Sequence, residues 1–482
     1  MPEQRAGKRR LKPLLVLTLV AAGSLAAAWA GAAWFLDSRG ITPRALAPYV
    51  AKRSSGHNPL IEKTGSWMQQ SLLSLDRGSP YVTDERLYSL RPGAAPAALP
   101  LALRVVPVTN SAEARLAVRN ALPGDAITFA PGVYVFRHGE LQAMRPGTEA
   151  HPIVVRAARP GTVEIAINSG VGFNVTAPYW AFENLRIRGV CRAQYACDHA
   201  FHVTGNAHHF SARNNTITDF NAHFKVNAVK GRFPDHGAIV GNTITNSAIR
   251  QTASPVTPID LVTVSHWTIR GNLITDFIKG GGDRISYGGY AKGGGSHNVF
   301  EQNIVVCEHK LRGRGQRVGL SLGGGGTGKR YCRDGQCITE QDDSVIRANL
   351  IASCSDEGIY LNRAARSEIS HNTLLDTGGV VVRFAASSAD VEGNLVDGAI
   401  RSREDGVLRL NDNIETSITS LYAGRHPVRD LFAGASVAAL SWAGDIPRRT
   451  NKVTHPSADL CGATRPQLPA FGAIEHAILC KN

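Results

Sequence analysis

An asparagine returns through the middle of the chain, each time followed by a β-branched or leucine-rich run. The copies are Asn215-Thr216-Ile217, Asn242-Thr243-Ile244, Asn272-Leu273-Ile274, Asn303-Ile304-Val305, Asn349-Leu350-Ile351, Asn372-Thr373-Leu374 and Asn394-Leu395-Val396. Their gaps are 27, 30, 31, 46, 23 and 22 residues. A second strand-like beat alternates with them: Ala200–Val203, Phe224–Asn227, Ile259–Val262, Val318–Leu322, Gly358–Asn362, Val381–Phe384 and Leu408–Asn411. Strand-sized units repeating at such a period mark a solenoid. With no amphipathic helix between them they exclude an α/β fold. Each turn of such a coil lays its strand over the equivalent strand below, with apolar residues stacked inside. Asn suits the corner because it tolerates the left-handed conformation and its stacked amides bond to one another. Propeller blades need about four strands per unit, and only two or three are counted here. The reading is all-β: a single-stranded right-handed parallel β-helix.

The ends differ from this middle. Arg5, Lys8, Arg9, Arg10 and Lys12 precede an uncharged stretch, Pro13 to Leu36. Roughly 24 such residues cross a hydrocarbon core of ~30 Å, and the basic flank sets the N-terminus in the cytoplasm. A cleavable signal ending at Ala28-Trp29-Ala30 competes, but the apolar run continues to Trp34-Phe35-Leu36 and favours an uncleaved anchor. The expected organisation is a basic cytoplasmic segment (1–12), a transmembrane signal anchor (13–36), a stalk (37–102), the β-helix (103–413) and an irregular C-terminal cap (414–482). The stalk is expected to hold one short amphipathic helix near Trp67–Leu75, and Ser111 to cap a helix through Val118 that closes the first coil. This places a monomer on the cell inner membrane by a single pass, with its folded domain in the periplasm.

The formal net charge of +14 suits an acidic partner. No helix-turn-helix, zinc-finger spacing or aromatic-basic platform is visible, which argues against nucleic acid and leaves an acidic polysaccharide. The eight cysteines form close pairs without a CxxC, the pattern of disulfides in an exported chain rather than of a metal site. Expected bridges are Cys191–Cys197, Cys332–Cys337 and Cys461–Cys480, with Cys307–Cys354 joining similar positions of neighbouring coils.

Side chains alternate along a strand. With the apolar residues inside, the outward row reads His202, Lys225, Asn227, Asp260, Lys292, Ser321, Tyr360, Asn362, Arg383 and Arg409. At ~4.8 Å per coil these residues would line one groove suited to successive sugars. The segment 279–328 is unusually rich in glycine, which points to tight corners or close approach of a ligand.

The phrase Pro123-Gly124-Asp125, Pro131-Gly132-Val133-Tyr134, Gly147-Thr148, Pro152-Ile153-Val154-Val155 resembles the opening of the polysaccharide lyases that include chondroitinase B and certain alginate lyases, with their pectin lyase-like fold. Lys292, Asn298, Asn303 and Leu320-Ser321-Leu322 resemble the phrase in which a lysine of that family abstracts the uronate C5 proton. The resemblance implies a calcium ion on the uronate carboxylate and an Arg-His pair at the leaving oxygen. Here Gly323 and Gly324 stand at the Arg-His positions, and Gly288 and Tyr290 stand where calcium-ligating glutamates are expected. No resident metal or cofactor is therefore expected, although the family uses calcium. Arg284, Arg317, Lys225 or Arg383 would pair with the carboxylate instead, and Tyr287, Tyr290 or Tyr360 would be the acid.

These readings make Lys292, Tyr290, Tyr360 and Arg284 the catalytic candidates. Lys225, Asn227, Asp260, Ser321, Asn362 and Arg383 are the candidates for holding substrate. The expected activity is β-elimination on a uronate-containing polysaccharide. Inverting hydrolysis is the alternative, needing two carboxylates roughly 6.5–9.5 Å apart, from Asp283, Asp356 and Glu357 among others. A uronate epimerase, or a non-catalytic polysaccharide binder of exopolysaccharide export, completes the alternatives.

Overall fold

The computed structural model describes residues 11–324, 327–451, 457–476 and 479–480. The basic segment at the N-terminus and the Gly325-Gly326 pair lie outside these, apart from Leu11 and Lys12. The chain divides into two compact units, residues 79–415 with 426–482, and residues 1–78 with 416–425.

The larger unit is a parallel β-helix. Among the described residues three parallel sheets of twelve, ten and eleven strands run its length. They are called here the flank sheet, the front sheet and the back sheet. Each complete coil contributes one strand to each, and the strands pair in register from coil to coil. Inside, like residues stack: Phe173, Phe201 and Phe224 lie face to face at 5.3 and 5.1 Å, and Ile217, Ile244 and Ile274 follow one another in the back sheet. The first strand begins at Arg104, and the last back-sheet strand is Ile414–Glu415.

The recurrent asparagines form one buried ladder. The Nδ2 of each donates to the Oδ1 of the next, from Asn215 through Asn242, Asn272, Asn303, Asn349, Asn372 and Asn394 to Asn413, at 2.9–3.1 Å. The same Oδ1 also accepts the backbone N–H of the preceding copy, as Asn303 does from Asn272 at 3.0 Å. The second amide hydrogen reaches a strand carbonyl, Ile269 for Asn303. Buried polar groups are tolerated only when paired, and here each amide satisfies its neighbour.

A second column runs outside the corner between the front and flank sheets. Tyr179, His209, His236, His266 and His297 occupy the equivalent left-handed position of successive coils, with φ between 56° and 61°. Their rings stack at 4.7, 5.1, 4.7 and 4.9 Å, within 15° of parallel. Parallel rings aim their nitrogens side by side rather than at one point, so the column is a stack and not a chelate.

Helix α4 (Ser111–Asn120) covers the first coil. Its cap is Asn110, whose side chain accepts from the N–H of Ala112 and Glu113, and not the expected Ser111. All four expected disulfides are present. The C-terminal residues do more than close the end. Val428, Leu440, Leu460 and Ile474 pack on the outer side of the back sheet, against Leu273, Ile304, Leu350 and Leu395. This explains why back-sheet strands from Leu273 onward are apolar on both faces, whereas Thr216–Thr218 and Thr243–Thr245 alternate.

The smaller unit holds α1 (Leu11–Ser38), α2 (Pro43–Ser54), α3 (Pro59–Arg77) and α5 (Ile418–Tyr422). Among the described residues no helix is long and apolar enough to cross a membrane, so the expected anchor over 13–36 is not supported. Beyond Val20 half of that segment is Ala, with Gly23, Ser24 and Gly31 among the rest, side chains with little apolar surface. The expected irregular stalk is also corrected. Residues 43–77 are a helical hairpin, capped by Thr42 and Asn58, each followed by Pro, and joined by the buried Arg44–Asp76 pair at 2.8 Å. Residues 79–103 are a strap of the larger unit, tied by Gly93 N–H to Leu460 O and Thr83 Oγ1 to His309 O.

Two outcomes are expected. Asn303→Ala strands the N–H groups of Asn272 and costs about 1–3 kcal/mol, measurable by urea unfolding. Desolvation, with neighbouring imidazoles, lowers the pKa values of His208, His209 and His266, with Asp235 and Glu149 opposing and Arg333 reinforcing. Stability from the column is therefore present above an unfolded pKa of about 6.5 and is lost as pH falls through the lower folded values. Replacing His209 and His266 together by Gln should flatten the decline in melting temperature between neutral and mildly acid pH.

Candidate functional site

The front sheet decides which distant residues become neighbours. Its register aligns Asn174, His202, Lys225, Asp260, Tyr290, Ser321 and Tyr360 in one outward row. Two residues further along the same strands, Thr204, Asn227, Val262 and Lys292 form a parallel row. Asn362 and Arg383 are paired at the corresponding position of later coils.

The rows meet around Lys292, at the end of strand Ile285–Lys292. Its ammonium lies 4.6 Å from the centre of the Tyr290 ring, a cation–π arrangement. Partial burial lowers the Lys292 pKa, with the Lys225 charge adding to the effect while Asp260 and Glu340 oppose it. Asp260, almost fully buried, holds Lys225 at 2.8 Å in the adjoining coil. Burial, then the Asp260 charge, raises Tyr290 well above the ordinary phenol. Two coils on, the half-buried Tyr360 hydroxyl accepts from Asn362 Nδ2 at 3.2 Å and Arg383 Nη1 at 3.3 Å. Burial raises its pKa and Arg383 restrains the rise. Both neighbours donate into the phenol oxygen, which leaves the phenol proton to be given elsewhere.

A segment that begins at Gly323 passes close over Lys292. A Cβ on Gly324 would lie 2.6 Å from Lys292 Cδ. The buried Glu340 carboxylate gathers this segment, accepting from Gly324 N–H, Thr327 N–H and Thr327 Oγ1. Arg333, behind the Cys332–Cys337 bridge, locks the excursion to Asp235 through two bonds of 2.8 and 2.7 Å. The glycines have separate causes: Gly288, Gly319 and Gly358 sit where a Cβ would strike Val305, Ile351 and Leu374 of the back sheet, so they permit a close-packed corner.

Several expected residues are not brought to this group. Arg284 is exposed in the turn before the strand and bonds to Gly280 O. Ser321 is fully buried and donates to Gly323 O. Arg409 lies in the flank sheet, paired with Asp390, and the front strand of its coil is Ala399–Arg403. Arg317 is buried against Glu308 at 2.7 Å. Of the alternative acids, Asp283 is exposed and bound to Lys279, and Glu357 faces Arg401 at 3.5 Å. Asp356 is half-buried in the turn beside Glu357. Asn227 lies on the row, where its Oδ1 meets His202 Nε2 at 3.1 Å. Glu340, and the charged turn after Asn227, were not anticipated.

The residues do not fit calcium, which takes six to eight oxygen ligands. Gly288 offers no side-chain oxygen, Tyr290 is a buried phenol, and Asp260, the carboxylate of the row beside Lys292, already holds Lys225. No step is derived through a metal.

The Chondroitinase B family model matches residues 108–261, a span that takes in His202, Lys225 and Asp260 and ends before Lys292. No curated protein sequence matches the chain. Among solved structures, the pectate lyase Pel9A superposes with a TM-score of 0.52 at 14% identity, over 78% of this chain and 97% of that one. An alginate lyase from Paenibacillus sp. str. FPU-7 has 17% identity over 65% of this chain and all of its own, with a TM-score of 0.35. A mannuronic acid specific lyase from human gut microbiota has 16% identity over 61% and 68%, with a TM-score of 0.37. The chain thus resembles polysaccharide lyases of the parallel β-helix type.

The charges around Lys292 can be tested directly. Asp260→Asn should shift its titration to lower pH, and Lys225→Met to higher pH, followed through the side-chain NMR signal of labelled lysine. Shifts in the reverse directions would contradict the arrangement.

Proposed function

We propose that this protein is a lyase that cleaves an acidic, uronate-containing polysaccharide by β-elimination, with Lys292 as the base. The observation that carries the reading is the position of Lys292: a partly desolvated amine, its pKa lowered, on the outward face of a long parallel sheet beside the polar row of Lys225, Asp260 and Tyr290. An amine held this way is uncharged more often near neutral pH than an exposed lysine and so is able to take a proton. The match to the Chondroitinase B family model and the likeness to a pectate lyase support the substrate class.

In this reading the chain lies along the front sheet. Lys225, ion-paired to Asp260 at 2.8 Å, turns its remaining N–H groups to the uronate carboxylate and makes the C5 proton acidic. Lys292 removes that proton. The electron pair forms the new C4–C5 double bond, and the bond from C4 to the leaving oxygen breaks. Tyr360 gives its proton to that oxygen, its own oxygen held by Asn362 and Arg383. Tyr290 supports the lysine through its ring rather than acting as the acid, because its hydroxyl is buried. Inverting hydrolysis is less well supported, since Asp283 and Glu357 are each engaged by a cation. The four disulfides support an oxidising compartment outside the cytoplasm.

Ultraviolet absorbance of the unsaturated uronate end, measured on pectate, alginate and glycosaminoglycans, tests the reaction. Lys292→Ala should lower the rate by about 10²–10⁴-fold, the usual contribution of a general base, with the circular dichroism spectrum unchanged. Tyr360→Phe should lower kcat more than it changes KM. New reducing ends without the absorbance would mean hydrolysis, and altered uronate configuration without cleavage would mean epimerisation.

A further inference from the structure

The row that ends at Lys292 continues toward the N-terminal coils into a cavity of about 400 Å³. Its lining comprises Thr176, Thr204, Gly205, Asn206, Val229, Lys230 and Arg232, with no carboxylate among them. Thr204 is in register with Asn227, Asn227 with Val262 and Val262 with Lys292. Three coils at ~4.8 Å each put the cavity floor about 14 Å from the Lys292 position along the same line.

The two cations stand on a built feature. Val229 and Arg232 exchange both backbone hydrogen bonds, each 3.1 Å. Lys230 and Gly231 between them have φ of 51° and 70°. Two successive left-handed residues closing such a pair form the tight hairpin turn that matches the natural twist of strands. The turn therefore holds Lys230 at its tip and Arg232 at its base, beside the cavity. Neither residue forms an ion pair among the described residues, whereas Lys225, Arg333 and Arg383 on or near this face all do.

Resting on the lyase reading, we propose that this cavity is a remote subsite that holds a carboxylate-bearing sugar of the bound polymer. Lys230 and Arg232 take the carboxylate, and Thr176, Thr204 and Asn206 take the hydroxyls. One coil height is close to the length of one pyranose unit. A chain with its reacting sugar over Lys292 thus presents another sugar here about three units away. Asn227 and Val262 lie between the two stations on the same row. The subsite would make the protein prefer long acidic chains over short ones, and would set which side of the cut is gripped.

The test is calorimetric binding of trimeric and hexameric oligogalacturonates and oligomannuronates to the Lys292→Ala protein, so that no chain is cut. The hexamer should bind more tightly than the trimer, and the double variant Lys230→Ala/Arg232→Ala should remove that gain, about tenfold for charge-assisted contacts. Lys230→Arg should retain most of it. A length-dependent gain that survives the double variant would overturn the subsite, as would failure of both acidic hexamers to bind. The product assay on the parent protein reports separately on the lyase reading. Loss of the hexamer gain in a protein that forms no unsaturated product would keep the subsite and reject the elimination.

Discussion

The asparagine ladder is the constraint on which everything else in the larger unit depends. Each amide bonds to the one in the next coil and to a backbone carbonyl, so a coil can shift neither up nor along without leaving buried donors unpaired. That pins the register at the corner between the flank and back sheets. A slip of one residue would send every front-sheet side chain to the opposite face. Apolar stacking alone would not prevent it, since valine, isoleucine and leucine substitute for one another inside. The ladder therefore also fixes which polar residues reach the front.

The front face inherits this rigidity. Lys225, Asp260 and Tyr290 come from three coils and meet because their strands are paired in register. Lys292 follows two residues beyond Tyr290 and so shares its face. Two long excursions leave the coils after the front strands. One, held by Glu340 and by Arg333 on Asp235, passes over Lys292. The other is the Lys230 hairpin, which leaves the coil of Asn227, two coils from Lys292. Sheets position the chemistry, and these excursions shape access to it.

Much of this was legible in the sequence because repetition is the strongest signal a chain offers. The Asn copies gave the coils, the β-strand limits and the disulfide between Cys307 and Cys354. Alternation along each strand gave Lys225, Asp260, Tyr360 and Lys292. Other residues in the same phase were overlooked. His209, His236, His266 and His297 repeat at 27, 30 and 31 residues, each six positions before a ladder Asn, so the stacked column follows the same period without being apolar. Arg409 falls in the flank sheet because the last coil is short, only 19 residues from Asn394 to Asn413. The helical hairpin carried its signals too, with Asn58-Pro59 at the start of α3 and Gly78 at φ 58° after its end. Pro48 and Gly65 inside the helices hid them. Glu340, Lys230 and Arg232 lie in excursions with no period, where only three-dimensional neighbours reveal a role.

The most direct measurement is a crystal structure of the Lys292→Ala protein with an acidic hexasaccharide. The account predicts the sugar chain lying along the front sheet, one uronate C5 within reach of the missing amine, its carboxylate toward Lys225, and the chain continuing over Val262 to Thr204. A chain bound on the flank sheet, or crossing the front sheet at right angles to the Lys292 row, would contradict it.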